Sequence, residues 1–266
     1  MTRYVSLQRS IHNKAGYTPS IDMGYASKMT TVPLVREELS QVTQHMSIVF
    51  QKHSNGNQPD TFDLVGLQAL KPNENLFVLP NRRWLGGYKP SFYRGKPFSL
   101  EFDKEHSQLQ LCIEESAIKT EITEGDIPFF KDDSNLSPMM TRMTEFLNQT
   151  FHARAQTLKL VAELASENLI IPWEIPYKEG SEDKILDGFY HIDTKTLMNL
   201  PAESVAKLNN SGALEIVYAQ RLSEARVSNL TTLQETYKKL LEQQSKVNLE
   251  PDLDEVFGKK DELFTF

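Results

Sequence analysis

Between Arg83 and Phe98 the chain reads Arg-Trp-Leu-Gly-Gly-Tyr-Lys-Pro-Ser-Phe-Tyr-Arg-Gly-Lys-Pro-Phe, five aromatic rings set among three glycines and two prolines. No other stretch limits the fold as tightly. Proline lacks a backbone donor and glycine weakens regular structure, so turns and packed loops are favoured here over helix or central strand. The rings require burial or a ligand. Arg83, Trp84, Tyr88, Tyr93, Arg94 and Phe98 offer flat surfaces and hydrogen-bond donors suited to a sugar, a peptide or a protein partner. The competing role is a core plug, and it carries more weight, because a domain of this size needs its large aromatics for burial.

The sequence on either side reads as short strands interleaved with helices. Ser47–Phe50 and a run around Phe62–Leu67 are expected strands. Leu100–Asp103 and Leu109–Ile113 are expected to form an antiparallel hairpin across the Lys104–Ser107 link. Arg36 to Met46 carries a helical stripe, with Pro33 placed to suit its first turn. Ser137-Pro138 opens a helix to about Glu167, with a break or bend expected near Phe151. Leu169–Ile175 reads as an edge segment, since Pro172 and Pro176 would interrupt a central ladder. Gly188–Ile192 is a further strand. Asp193 caps a short helix, Lys195–Leu200, and Pro201 opens another that ends near Gly212.

A long final helix from Leu214 to about Gln244 places Leu230, Leu233, Tyr237 and Leu240 on one stripe. That stripe suits docking on the chain's own domain and almost equally pairing with a second copy. The reading is a single α+β domain over 29–245, with a largely antiparallel or mixed sheet. An N-terminal arm (1–28) precedes it and a flexible acidic tail (246–266) follows.

Composition closes off several functions. A formal net charge of −7 over 266 residues argues against nucleic-acid binding, which needs a basic face. No apolar run approaches the roughly 18 residues of a membrane span, and Met1–Ser20 lacks a signal-peptide core. Cytoplasm is the expected compartment. Cys112 is the only cysteine, so no intrachain disulfide forms, and its alternating strand context suits a packed, inert thiol. The six histidines are scattered without metal-ligand spacing, and phosphate loops, dinucleotide fingerprints and nucleophile elbows are all missing. No metal, no cofactor and no catalytic residue are expected. Acidic pairs such as Glu114-Glu115 and Asp132-Asp133 read as solvated faces.

Several blocks together resemble the SapC family. Val32-Pro33-Leu34 followed by Ser47-Ile48-Val49-Phe50 is similar to its opening block, with Ser47 where proline is expected. Asn75-Leu76-Phe77-Val78, Arg83-Trp84, Tyr88-Lys89-Pro90 and Tyr93-Arg94-Gly95-Lys96-Pro97-Phe98 resemble its central signature. Leu111-Cys112-Ile113-Glu114, Gly188-Phe189-Tyr190-His191-Ile192-Asp193 and Ser211-Gly212-Ala213-Leu214 to Tyr218-Ala219-Gln220 follow, with Gln220 where histidine is common. Tyr190 joins the candidate binding residues through its block. The resemblance implies a bacterial surface-layer or envelope association, and an accessory role in glycan or nutrient uptake. It supplies no reaction. A non-catalytic binding or assembly protein is therefore the leading expectation, with a protein or a glycan as partner. The alternative is an enzyme, or the obligatory subunit of one, acting with a flavin-dependent tryptophan-halogenase-like oxidoreductase.

Overall fold

The computed structural model describes residues 3–54, 60–103, 108–131 and 135–247, so the 248–266 part of the expected tail, the Lys104–Ser107 link and Asp132-Asp133 lie outside the described residues. The strands are β1 (Tyr4–Ser6), β2 (Gly16–Tyr17), β3 (Thr31–Pro33), β4 (Ser47–His53), β5 (Thr61–Leu67), β6 (Phe98–Asp103), β7 (Gln108–Glu114), β8 (Ile127–Pro128), β9 (Ile170–Glu179) and β10 (Glu182–Ile192). The α-helices are α1 (Arg9–His12), α2 (Leu39–Val42), α3 (Ser91–Arg94), α4 (Pro138–Ser166), α5 (Thr194–Met198), α6 (Ala202–Ser211), α7 (Ala213–Ser223) and α8 (Val227–Val247). The fold is α+β, and every strand pair among the described residues is antiparallel.

The described residues form three sheets. The largest runs β3-β5-β4-β10-β9, a three-stranded sheet runs β1-β7-β6, and β2 pairs with β8. Strand β4 takes the central place because both of its faces are buried: Ser47, Ile48, Val49 and Phe50 are all covered, three of them apolar. Strand β9 carries Pro172 and Pro176 at the free edge, where a missing N–H is harmless. Pro33 follows the same rule. It lies on β3, the other edge strand, instead of in a helix, and the expected Arg36–Met46 helix shrinks to a 3-10 turn at Arg36–Glu38 followed by α2.

Two apolar cores form among the described residues. The larger gathers Val32, Ile48, Phe50, Leu64 and Leu67 of the five-stranded sheet with Leu160, Val161 and Leu164 of α4 and Ile216 and Val217 of α7. The smaller holds Ala15, Tyr17, Phe98, Ile113, Phe129 and Met140. Helix α4 belongs to both. Its 29 residues run unbroken past Phe151, about 43 Å at 1.5 Å per residue, with Ser137 as N-cap and Pro138 in the first turn. The N-terminal segment, expected as an arm, completes the smaller core: β1 adds the third strand to β7 and β2 clamps β8.

The long C-terminal helix is interrupted once, by a 3-10 turn at Glu224–Arg226 between α7 and α8. Buried polar groups explain the position. Strands β4 and β10 pair only at Phe50 and Gln51, and past that point Gln220 fills the gap. Its side-chain oxygen accepts from the Ile192 N–H (3.1 Å) and its amide donates to the Ile48 carbonyl (3.4 Å). Ser223 Oγ accepts from the Ile48 N–H (2.9 Å) and donates to the Gln220 carbonyl (2.7 Å). The helix is thus pinned to the sheet where it breaks. Before it, Gly212 (φ 89°) makes the left-handed turn from α6 into α7, a conformation that favours glycine.

Candidate functional site

The Arg83–Phe98 segment is fastened to the domain by Glu38, a buried carboxylate (4% exposed) whose role the sequence did not reveal. Glu38 Oε1 accepts from the Val35 N–H and the Ser91 hydroxyl, both at 3.0 Å. Its Oε2 accepts from the Ser91 N–H at 2.7 Å and the Tyr88 hydroxyl at 3.0 Å. The bond to Val35 is the return half of a capping box, formed because Glu38 closes the 3-10 turn three residues on. Four donors around one carboxylate make its burial tolerable.

With that anchor set, the rings divide. Trp84 stacks on Phe77 at 5.5 Å, tilts against Tyr93 at 5.4 Å and donates its indole N–H to the Tyr88 carbonyl at 3.0 Å. Tyr93 is buried and donates to Gln68 Oε1 at 2.7 Å. Phe98 belongs to the smaller core, edge-on to Tyr17 at 4.8 Å. These three side chains work as packing. Arg94 is exposed, with its guanidinium 5.0 Å from the Phe146 ring and 5.4 Å from the Tyr88 ring, and it donates to the Tyr88 hydroxyl at 3.0 Å. Burial, reinforced by the Glu38 charge, pushes the Tyr88 phenol up to about 12. Arg83 is exposed. Tyr190 sits apart in the large sheet, packed on Phe62 at 5.1 Å.

Two concavities flank the Ser91–Phe98 stretch. The first is a polar cleft of about 370 Å³ between the N-terminal segment and the loop, with Tyr25, Lys89, Tyr93, Arg94, Lys96 and Glu114 among its walls. Burial, and for Tyr25 the nearby Glu114 carboxylate, push the Tyr25 and Tyr93 phenols well above the ordinary tyrosine range. Tyr25 keeps 44% of its surface exposed. The Lys96 ammonium bonds Glu114 at 2.9 Å and the Tyr4 hydroxyl. Burial works against the ammonium's charge, but those two bonds hold it above the ordinary lysine range.

The second concavity is an apolar groove of about 470 Å³ lined by Phe92, Phe98, Leu100, Leu147, Phe151 and Arg154. Phe98, Ser99, Leu100 and Glu101 all reach it. Consecutive strand residues share a cavity only along a strand edge, and β6 is indeed the edge of its sheet. The Ser99 hydroxyl is buried there without a hydrogen-bond partner among the described residues.

Nothing in the sequence marked Tyr25 or Glu38, because their roles depend on which segments meet. Lys89 was visible only as the middle of Tyr-Lys-Pro. No group of three or more metal-ligating side chains occurs among the described residues, and no helix among them is long and apolar enough to cross a membrane. Burial pushes the Cys112 thiol up to about 11, as a packed cysteine requires.

The profile of the SapC family matches residues 7–230, most of the chain. The chain belongs to the SapC family. No curated protein and no solved structure matches it. In this SapC chain the family-like blocks do mainly structural work. Asn75 donates to the Ala26 carbonyl and accepts from the Phe77 N–H, both at 3.0 Å, fixing the turn that leads to Trp84. Gln220, where histidine is common, is the buried clamp between β4 and β10. Among the blocks, Lys89 and Tyr93 to Phe98 contribute to the walls of the two concavities, with Pro33 on the groove and Glu114 on the cleft.

Proposed function

We propose that this SapC protein is a non-catalytic binding protein that captures a saccharide in the polar cleft, serving surface-layer assembly or glycan uptake at the cell envelope. One observation carries the reading. The cleft holds a half-exposed tyrosine ring, Tyr25, with the Lys96 ammonium 5.7 Å from its centroid, in one concavity with Lys89 and Arg94. A flat ring with converging donors suits a sugar's apolar face and its hydroxyls.

The titration state of the cleft favours holding a ligand over transforming it. Its tyrosines stay protonated at neutral pH, so they donate hydrogen bonds and make poor general bases. Its two carboxylates are engaged: Asp22 with Arg82 at 3.0 Å and Glu114 with Lys96 at 2.9 Å.

Calorimetric titration against a panel of oligosaccharides tests the proposal. We expect binding by the wild type, weakened at least tenfold in Tyr25→Ala and Arg94→Ala, with the fold of both variants retained by far-UV circular dichroism. Failure of the wild type to bind any saccharide, or undiminished binding by both variants, overturns it.

A further inference from the structure

We infer that the saccharide is acidic, carrying a carboxylate or sulfate group that sits between Lys89 and Arg94. The inference rests on the binding role proposed above and assigns the class of ligand. It comes from matching charges around the cleft. Cations on the walls are Lys89, Arg94 and Lys96, and the acids are Asp22 and Glu114. Asp22 is matched by Arg82, and its Oδ1 also accepts from the Gly24 N–H at 2.7 Å. Glu114 is matched by Lys96 and also accepts from the Tyr4 hydroxyl at 2.9 Å.

Lys89 and Arg94 remain, and neither has an acidic partner among the described residues. Glu38, joined to Arg94 only through the Tyr88 hydroxyl that both contact, is buried, makes no direct ion pair with the guanidinium and does not line the cleft. A chain with a formal net charge of −7 therefore presents a locally cationic concavity. Charge left unmatched at a site of this kind draws and orients an anion.

Arg94 is also held in place before any ligand arrives. Two rings flank its guanidinium and one hydroxyl accepts from it, so little side-chain freedom is lost on binding. A planar fork fixed in this way can engage a carboxylate or sulfate through two parallel bonds. Lys89 adds a second, more mobile donor, and Tyr25 supplies the surface against which the ring of the sugar lies.

Oligosaccharides of equal length separate the possibilities: neutral, uronate-bearing and sulfated, each titrated into the full chain at two salt concentrations. We expect at least one acidic series to bind tenfold or more tightly than the neutral one, and the preference to shrink as salt rises. In Lys89→Gln and Arg94→Gln the acidic-to-neutral preference falls towards one, while Arg94→Lys keeps part of it. Whichever acidic series wins identifies the anionic group. Equal binding of neutral and acidic series, both lost in Tyr25→Ala, overturns the acidic assignment and leaves the saccharide reading standing. Binding of none of the three overturns both.

Discussion

The cleft and the groove share one wall and differ in the charge of the residues that line them. Lys89, Tyr93, Arg94, Lys96 and Pro97 turn towards the cleft, whereas Ser91, Phe92, Gly95 and Phe98 turn towards the groove. Lys96 reaches both. A single turn of helix, α3, followed by a proline-bearing bend is enough to divide the side chains this way. The cleft's other side comes from the polar N-terminal segment, and the groove's from the apolar stripe Leu147, Phe151 on α4. Plug and surface are therefore not alternatives for this segment. Its inner rings are packing, and that packing fixes the outer residues to which the proposal assigns the ligand.

If that account is right, the deepest damage comes from the ring that ties the segment to the smaller core. Phe98→Ala empties the space between Tyr17 and Phe129 and should cost about 3–5 kcal/mol in urea unfolding. A loss below about 1 kcal/mol would show that the smaller core does not depend on the segment. Next in size is Glu38→Ala, which leaves the buried N–H groups of Val35 and Ser91 without an acceptor. About 3 kcal/mol is expected from the same measurement. Glu38→Gln keeps an oxygen acceptor and should lose less. Equal losses for the two would mean that charge matters more than the bonds to Ser91.

The fold was largely legible because its signals are local. The apolar run Ser47–Phe50, the hairpin pair Leu100–Asp103 and Leu109–Ile113, the Ser137-Pro138 helix start and the Asp193 cap each act within a few residues of themselves. Pro33 was misplaced because a proline suits a helix's first turn and an edge strand equally well, and only the pairing with β5 decides. The break after Ser223 was invisible for a related reason. Its cause is a bond to Ile48, 175 residues away. The site was half legible: ring content pointed to Trp84–Phe98, but which rings face inward depends on Glu38, Gln68 and Phe77, and the cleft needs Tyr25 from a stretch without periodicity.

A smaller effect probes the boundary between packing and surface. Tyr93→Phe removes one buried hydrogen bond, leaves the Gln68 carbonyl unpaired and should cost about 1 kcal/mol. Because the ring remains against Trp84, the cleft should keep its shape and its saccharide affinity. A tenfold loss of affinity at so small a cost in stability would make the Tyr93 hydroxyl part of recognition.

The least perturbing change tests whether the two concavities are independent. Thr150 lines the groove from α4, is half-buried, and spends its hydroxyl on the Phe146 carbonyl of its own helix at 2.9 Å. Replacing it therefore orphans no buried donor, and Thr150→Trp should shift stability by no more than about 0.5 kcal/mol. The larger side chain fills the space between Leu147, Phe151 and the β6 edge. A neutral apolar dye such as N-phenyl-1-naphthylamine should brighten on entering the wild-type groove, and that signal should fall severalfold in Thr150→Trp. It should persist in Arg94→Gln, whose side chain belongs to the cleft. Dye binding lost equally in both variants would mean that ligand entry on one side of α3 is felt on the other, with Lys96, which reaches both cavities, as the first residue to replace.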